Sequence, residues 1–100
     1  MKSTKSKLVI VRSYGSGVTV GELFEQQTSG GYFVVTLKNA RRLWRWKGAN
    51  TLFEVARHGV SEDYTRLSDP LDTIQIAEVC EVIPVEESAA ASLVKSRWAP

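Results

Sequence analysis

A chain of 100 residues that is 43% hydrophobic and 24% charged has the size and mix of one folded domain, spanning 1–100, which excludes a disordered chain and leaves no room for a second module. Its apolar stretches run to only a few residues, far below the roughly 20 that cross a bilayer as a helix, so no membrane partner is expected. The net charge of +2 is modest but unevenly spread: no acid falls between Glu25 and Glu54, whereas Lys38, Arg41, Arg42, Arg45 and Lys47 all do.

In chain order, residues 1–7 are a flexible basic start, and Leu8–Val11, ended by Arg12, is too short an apolar run for a signal peptide. No export is expected. Leu8–Arg12 is rich in β-branched residues and predicts a first strand. Tyr14–Gly17 is a turn, because its glycines tolerate positive φ. Val18–Glu25 predicts a second strand, Gln26–Gly31 a hairpin turn around Ser29-Gly30-Gly31, and Tyr32–Leu37 a third strand. Three strands joined this way form an antiparallel meander.

The next segment, Arg41–Lys47, can continue the strand. Alternation would then put Leu43 on one face with Arg41, Arg45 and Lys47, and Arg42, Trp44 and Trp46 on the other, with the tryptophans anchored in the core or a cleft. Gly48-Ala49-Asn50 breaks the pattern. Thr51-Leu52-Phe53-Glu54 has the spacing of a capping box. It predicts a helix of about two turns, with Leu52, Phe53, Val55 and Ala56 supplying one apolar face and Gly59 as its C-cap. Residues 60–69 read as a loop with room for a short strand around Tyr64–Leu67, closed by Asp69-Pro70. Thr73–Pro84 alternates over two strand lengths, as one bent strand or two short ones, with Ile74, Ile76 and Val82 inward. Glu86–Lys95 predicts a helix with acids first and a lysine last, as the helix dipole favours, and residues 96–100 form a tail.

This order predicts a mainly β (α+β) fold: a small antiparallel SH3-like or Sm-like barrel with a short inserted helix and a short C-terminal helix. The spacing of Gly21-x-Leu23 and Leu37 fits the Sm arrangement. Five short strands bury little on their own, so a homo-oligomer is expected, with Trp98 on the tail as a clasp.

Little here could do covalent chemistry. His58 is the only histidine and Cys80 the only cysteine. An internal disulfide and a tetrahedral cysteine metal site are thereby excluded, and a reducing, cytoplasmic location fits. A surface histidine and a core thiol explain the two better than a catalytic pair. The adjacent acids Glu62-Asp63 and Glu86-Glu87 belong to a loop and a helix start, and no zinc, phosphate-loop, dinucleotide or calcium motif is present. The expectation is a protein that is not an enzyme and needs no metal or cofactor.

The run Arg41, Arg42, Trp44, Arg45, Trp46, Lys47 is different, and is the candidate ligand-binding segment. Arginine forks match phosphate oxygens and stack on aromatic rings, and tryptophan offers the widest surface on which a base can stack. The alternative is that Trp44 and Trp46 are core residues and that the arginines pair with the acid-rich second half.

Ala40-Arg41-Arg42-Leu43-Trp44-x-Trp46-x-Gly48-Ala49, preceded by Val9-x-Val11-Arg12 and Gly17-Val18-x-x-Gly21-x-Leu23 and followed by Glu78-x-x-Glu81-Val82-Ile83-Pro84, Ser92 and Trp98, resembles a family of small phage-encoded proteins. Its members carry an Ala-Arg-Arg-Leu-Trp-x-Trp signature after a β-meander. This chain departs from the pattern in a longer hairpin at 26–31 and in Arg45. The resemblance implies a phage origin and the cytoplasm of an infected bacterial host as location. By analogy of size and residue type, it points to a compact oligomer that sequesters a nucleotide-derived immune signal, such as a cyclic ADP-ribose isomer or a cyclic dinucleotide. A nucleic-acid-binding accessory protein and a protein–protein inhibitor presenting Trp44 and Trp46 are the alternatives.

Overall fold

A computed structural model describes residues 7–15, 17–29, 32–46, 51–61 and 65–95. Lys47 and the Trp98 clasp lie outside them. The elements are β1 (Lys7–Ser13), β2 (Gly17–Ser29), β3 (Tyr32–Arg45), α1 (Leu52–His58), β4 (Arg66–Leu67), β5 (Leu71–Ile76), β6 (Val79–Pro84) and α2 (Glu87–Lys95). This is the mainly β fold with two short helices that the sequence predicts.

All pairings are antiparallel, in the order β4-β3-β2-β1-β6, with β5 also on β3. Thr73–Pro84 resolves into two strands joined by Ala77 and Glu78, the latter at φ 56°. Ile76 pairs on β3, and Val79 pairs on β1 at the opposite edge of the sheet. Successive Cα atoms are about 3.8 Å apart, so a two-residue link can join those edges only if the sheet has rolled up. The architecture is accordingly that of a small barrel.

Rolling a sheet needs bends, and two register shifts supply them, between Val20 and Glu22 and between Leu23 and Glu25 of β2. At the first, Asn39 on β3 adopts φ 51° and donates through Nδ2 to Glu22 Oε2 at 3.2 Å. Gly21 sits against this bend, where a Cβ would come within 3.1 Å of Leu37 Cβ and 3.2 Å of the Ala40 Cα.

Each face of the sheet buries its own core. Val9, Val11, Val35, Leu37, Ala40 and Ile76 pack inside the roll, with Leu23, Ile74, Val79 and Val82 half-buried around them. On the other face Ile10, Val20, Leu43 and Leu67 meet Val55 and Ala56 of α1 and Leu93 of α2. The link from β6 to α2 is tied down by its backbone: Glu86 N donates to Ala56 O of α1 at 2.8 Å and Val85 N to Leu8 O of β1 at 3.0 Å. Gly59 ends α1 at φ 85°, and Val60 N donates to Ser92 Oγ at 2.9 Å. The capping box forms as its spacing predicts. Thr51 Oγ1 accepts from Phe53 N at 3.2 Å, and Glu54 Oε1 accepts from Thr51 N at 2.9 Å.

Three expectations are corrected. Phe53 is exposed rather than part of the packed face of α1, which Val55 and Ala56 supply with Leu52 half-buried. Residues 26–29 are strand rather than turn, because the β2–β3 hairpin runs on as an arm beyond β1. Cys80 is exposed rather than buried, because the register shift between Arg12 and Ser13 leaves it as the extra, bulged residue of β6 between the inward Val79 and Val82. Among the described residues no helix is long and apolar enough to cross a membrane.

Candidate functional site

The strand does continue through the basic–aromatic run, so ladder pairing decides where each side chain goes. Directly paired residues of an antiparallel ladder point to the same side. Arg41 pairs with Val20, a residue of the helix-side core, and Arg42 with Thr19, whose own partner on β1 is the inward Val11. The two adjacent arginines therefore leave the sheet on opposite faces.

Arg41 is occupied. Its Nε donates to Ser68 O at 2.7 Å, Nη1 to Leu93 O at 3.2 Å and Nη2 to Leu67 O at 3.5 Å. Leu93 lies in the last turn of α2, where carbonyls have no partner further along the helix. The guanidinium thus ties β3 to the segment after β4 and to the C-terminal end of α2. Burial lowers its pKa from the ordinary value and the nearby Asp69 opposes the shift, but an arginine remains charged throughout.

Among the described residues, Arg42 is held by its backbone alone. Its N–H donates to Ser68 Oγ at 2.8 Å and its carbonyl accepts from Ser68 N at 3.0 Å. Its side-chain Nε is buried with no hydrogen-bond partner.

Beyond Leu43 simple alternation fails. Leu43 pairs with Leu67 but Arg45 pairs with Arg66, so β3 holds one extra residue there. This bulge has three effects. Arg45 turns to the face away from the helices, with Arg42. Trp46 turns back and packs half-buried against the helix-side core. Trp44 stands at the bulge, 60% exposed, with the Arg45 guanidinium 5.1 Å from its ring centroid. The expected grouping of Trp44 with Trp46, and of Arg45 with Arg41, is thus corrected by a single inserted residue.

The result is a surface on the helix-free side of β3 and β4 carrying Arg42, Trp44, Arg45 and Arg66. Arg66 Nη1 donates to Thr65 O at 3.3 Å. No carboxylate among the described residues pairs with Arg42 or Arg45, whereas Arg12 of β1 forms an ion pair with Glu81 at 2.9 Å. Two residues that bear on this surface carry no signature in sequence. Ser68 holds both arginine-bearing residues through separate groups. Thr19 is buried beside the inward Val11, yet within the alternating run Val18-Thr19-Val20 it reads like an ordinary outward polar residue.

No curated protein and no solved structure matches the chain significantly. A family model, the Domain of unknown function DUF6948, matches residues 6–93, a span that takes in both cores, the bulge and all four residues of this surface. The chain belongs to the DUF6948 family.

Proposed function

We propose that this protein is a phage-encoded, non-enzymatic binder that sequesters a nucleotide-derived signal in the cytoplasm of an infected bacterium. The observation that carries the reading is the pair of guanidinium groups of Arg42 and Arg45, without carboxylate partners among the described residues, on either side of the exposed Trp44. Charged forks without partners beside a large π surface suit a molecule that has both phosphate and base. Arg66 extends the positive field, and the signature around Trp44 supports the phage origin.

Sequestration works best in an enclosed site, and a second copy of the chain is the proposed enclosure. The outer edge of β2 has no strand beside it from Phe24 to Ser29 among the described residues. Two such edges related by a two-fold axis can pair with Gln26 opposite Gln26 and Glu25 opposite Gln27, which keeps the two Glu25 carboxylates apart.

Titration calorimetry with cyclic ADP-ribose, ADP-ribose and cyclic dinucleotides tests the reading. Saturable heat with at least one, and its recovery intact afterwards, is the expected result. Absence of heat with all of them, or recovery of a cleaved product, overturns it. An open strand surface also favours a single-stranded nucleic acid. The sign of that reading is oligonucleotide affinity that falls steeply with salt while the small molecules give no heat.

A further inference from the structure

Among the described residues, two buried side-chain polar atoms have no hydrogen-bond partner, Thr19 Oγ1 and Arg42 Nε. They are not scattered through the protein. Thr19 and Arg42 are direct ladder partners across β2 and β3, so the two side chains stand together on the face away from the helices. Thr19 is only 2% exposed, and its neighbour on β1 is Val11, which offers no polar side-chain atom. Buried polar groups in folded proteins nearly always have partners, so an adjacent pair without one calls for a reason.

The chemistry of the two groups supplies it. An arginine Nε–H can only donate, and a threonine hydroxyl can donate as well. Two donors side by side with no acceptor match one oxygen that accepts from both. A phosphate oxygen is the fitting acceptor, because hydrogen bonds from a charged donor to an anionic oxygen are the strong ones. We infer that Thr19 and Arg42 form the seat for one phosphate oxygen of a small phosphate ester or anhydride whose base stacks on Trp44. This deepens the function proposed above and rests on it. Both seat atoms are shielded from solvent, so the oxygen enters as the Arg42 side chain turns. That side chain is free to do so, since no described group holds its guanidinium.

The test uses the full chain with ADP-ribose, adenosine and inorganic pyrophosphate as probes. Thr19→Val keeps the β-branched shape and removes the hydroxyl. The expected result is at least tenfold weaker ADP-ribose binding with an unchanged or higher Tm, recovery in Thr19→Ser, and no effect on adenosine. Pyrophosphate added to the wild-type protein is expected to shift the Arg42 Nε–H resonance and slow its exchange with water. If ADP-ribose binds the wild type and Thr19→Val equally well, the seat is overturned while the proposed function stands. If no nucleotide binds but pyrophosphate shifts Arg42, the nucleotide reading fails and the phosphate seat stands. If pyrophosphate leaves Arg42 unmoved, the seat is overturned whatever Thr19→Val does.

Discussion

Arg41 and Arg42 are neighbours of the same type, yet one holds the fold together and the other does not. Arg41→Ala removes three hydrogen bonds to carbonyls and leaves those acceptors half-buried, so it is expected to cost about 2 kcal/mol. Urea unfolding would read the loss, and Arg41→Lys should recover little of it, because an ammonium cannot reproduce the spread of the guanidinium fork. Nucleotide affinity is expected to hold in the Arg41 variants that remain folded and to fall in Arg42→Ala. The presence of a basic–aromatic segment is plain from the sequence, but not which arginine does which job. That depends on which residue of β2 each one faces, and on one extra residue opposite Leu67. A bulge has no composition of its own, so neither the parting of Trp44 from Trp46 nor the turn of Arg45 could be read in advance.

Among the elements, α1 was the most legible, because its start is written in local chemistry. Thr51→Ala removes the cap and is expected to cost about 1 kcal/mol, measurable by thermal unfolding. The box also makes α1 sensitive to acid. The hydrogen bonds from Thr51 hold the Glu54 carboxyl below its usual pKa. A carboxyl with a lowered folded pKa stabilises above its unfolded value, about 4.3, and that stability fades as pH falls through the folded value. The melting temperature of the wild type is therefore expected to drop between pH 5 and 3 by more than that of Glu54→Gln; equal drops would show that the box contributes nothing. The β2–β3 arm was the least legible element. Alternation marks a strand only where one face is buried, and residues 25–28 are exposed. Polar residues in such an arm look like a loop, although their backbones pair with β3 throughout.

For the molecule as a whole, the β1-β2-β3 meander was legible from its strand spacing and turns, whereas the pairing of β5 on β3 and of β6 on β1, which rolls the sheet, carries no local signal. Separate cores on the two faces were harder to foresee, since Ile10 and Val11 are adjacent, equally apolar and belong to different clusters. Assembly is the property of the whole that the β2 edge bears upon. Light scattering after size exclusion is expected to give a dimer or larger species, and Gln26→Pro, which removes a backbone donor from that edge, is expected to give monomers with an unchanged fold. A wild-type monomer at all concentrations would remove the proposed enclosure.

The contact between Arg41 and the carbonyl of Leu93 spans 52 positions of the chain, and this has a consequence for birth rather than for function. At ribosomal rates of about 5–20 residues per second, roughly three to ten seconds separate the synthesis of β3 from that of the helix that covers it. Through that interval Ile10, Val20 and Leu43 have no α2 to pack against. The nascent chain must either leave an oily sheet face open to its surroundings or borrow a chaperone until its last helix arrives.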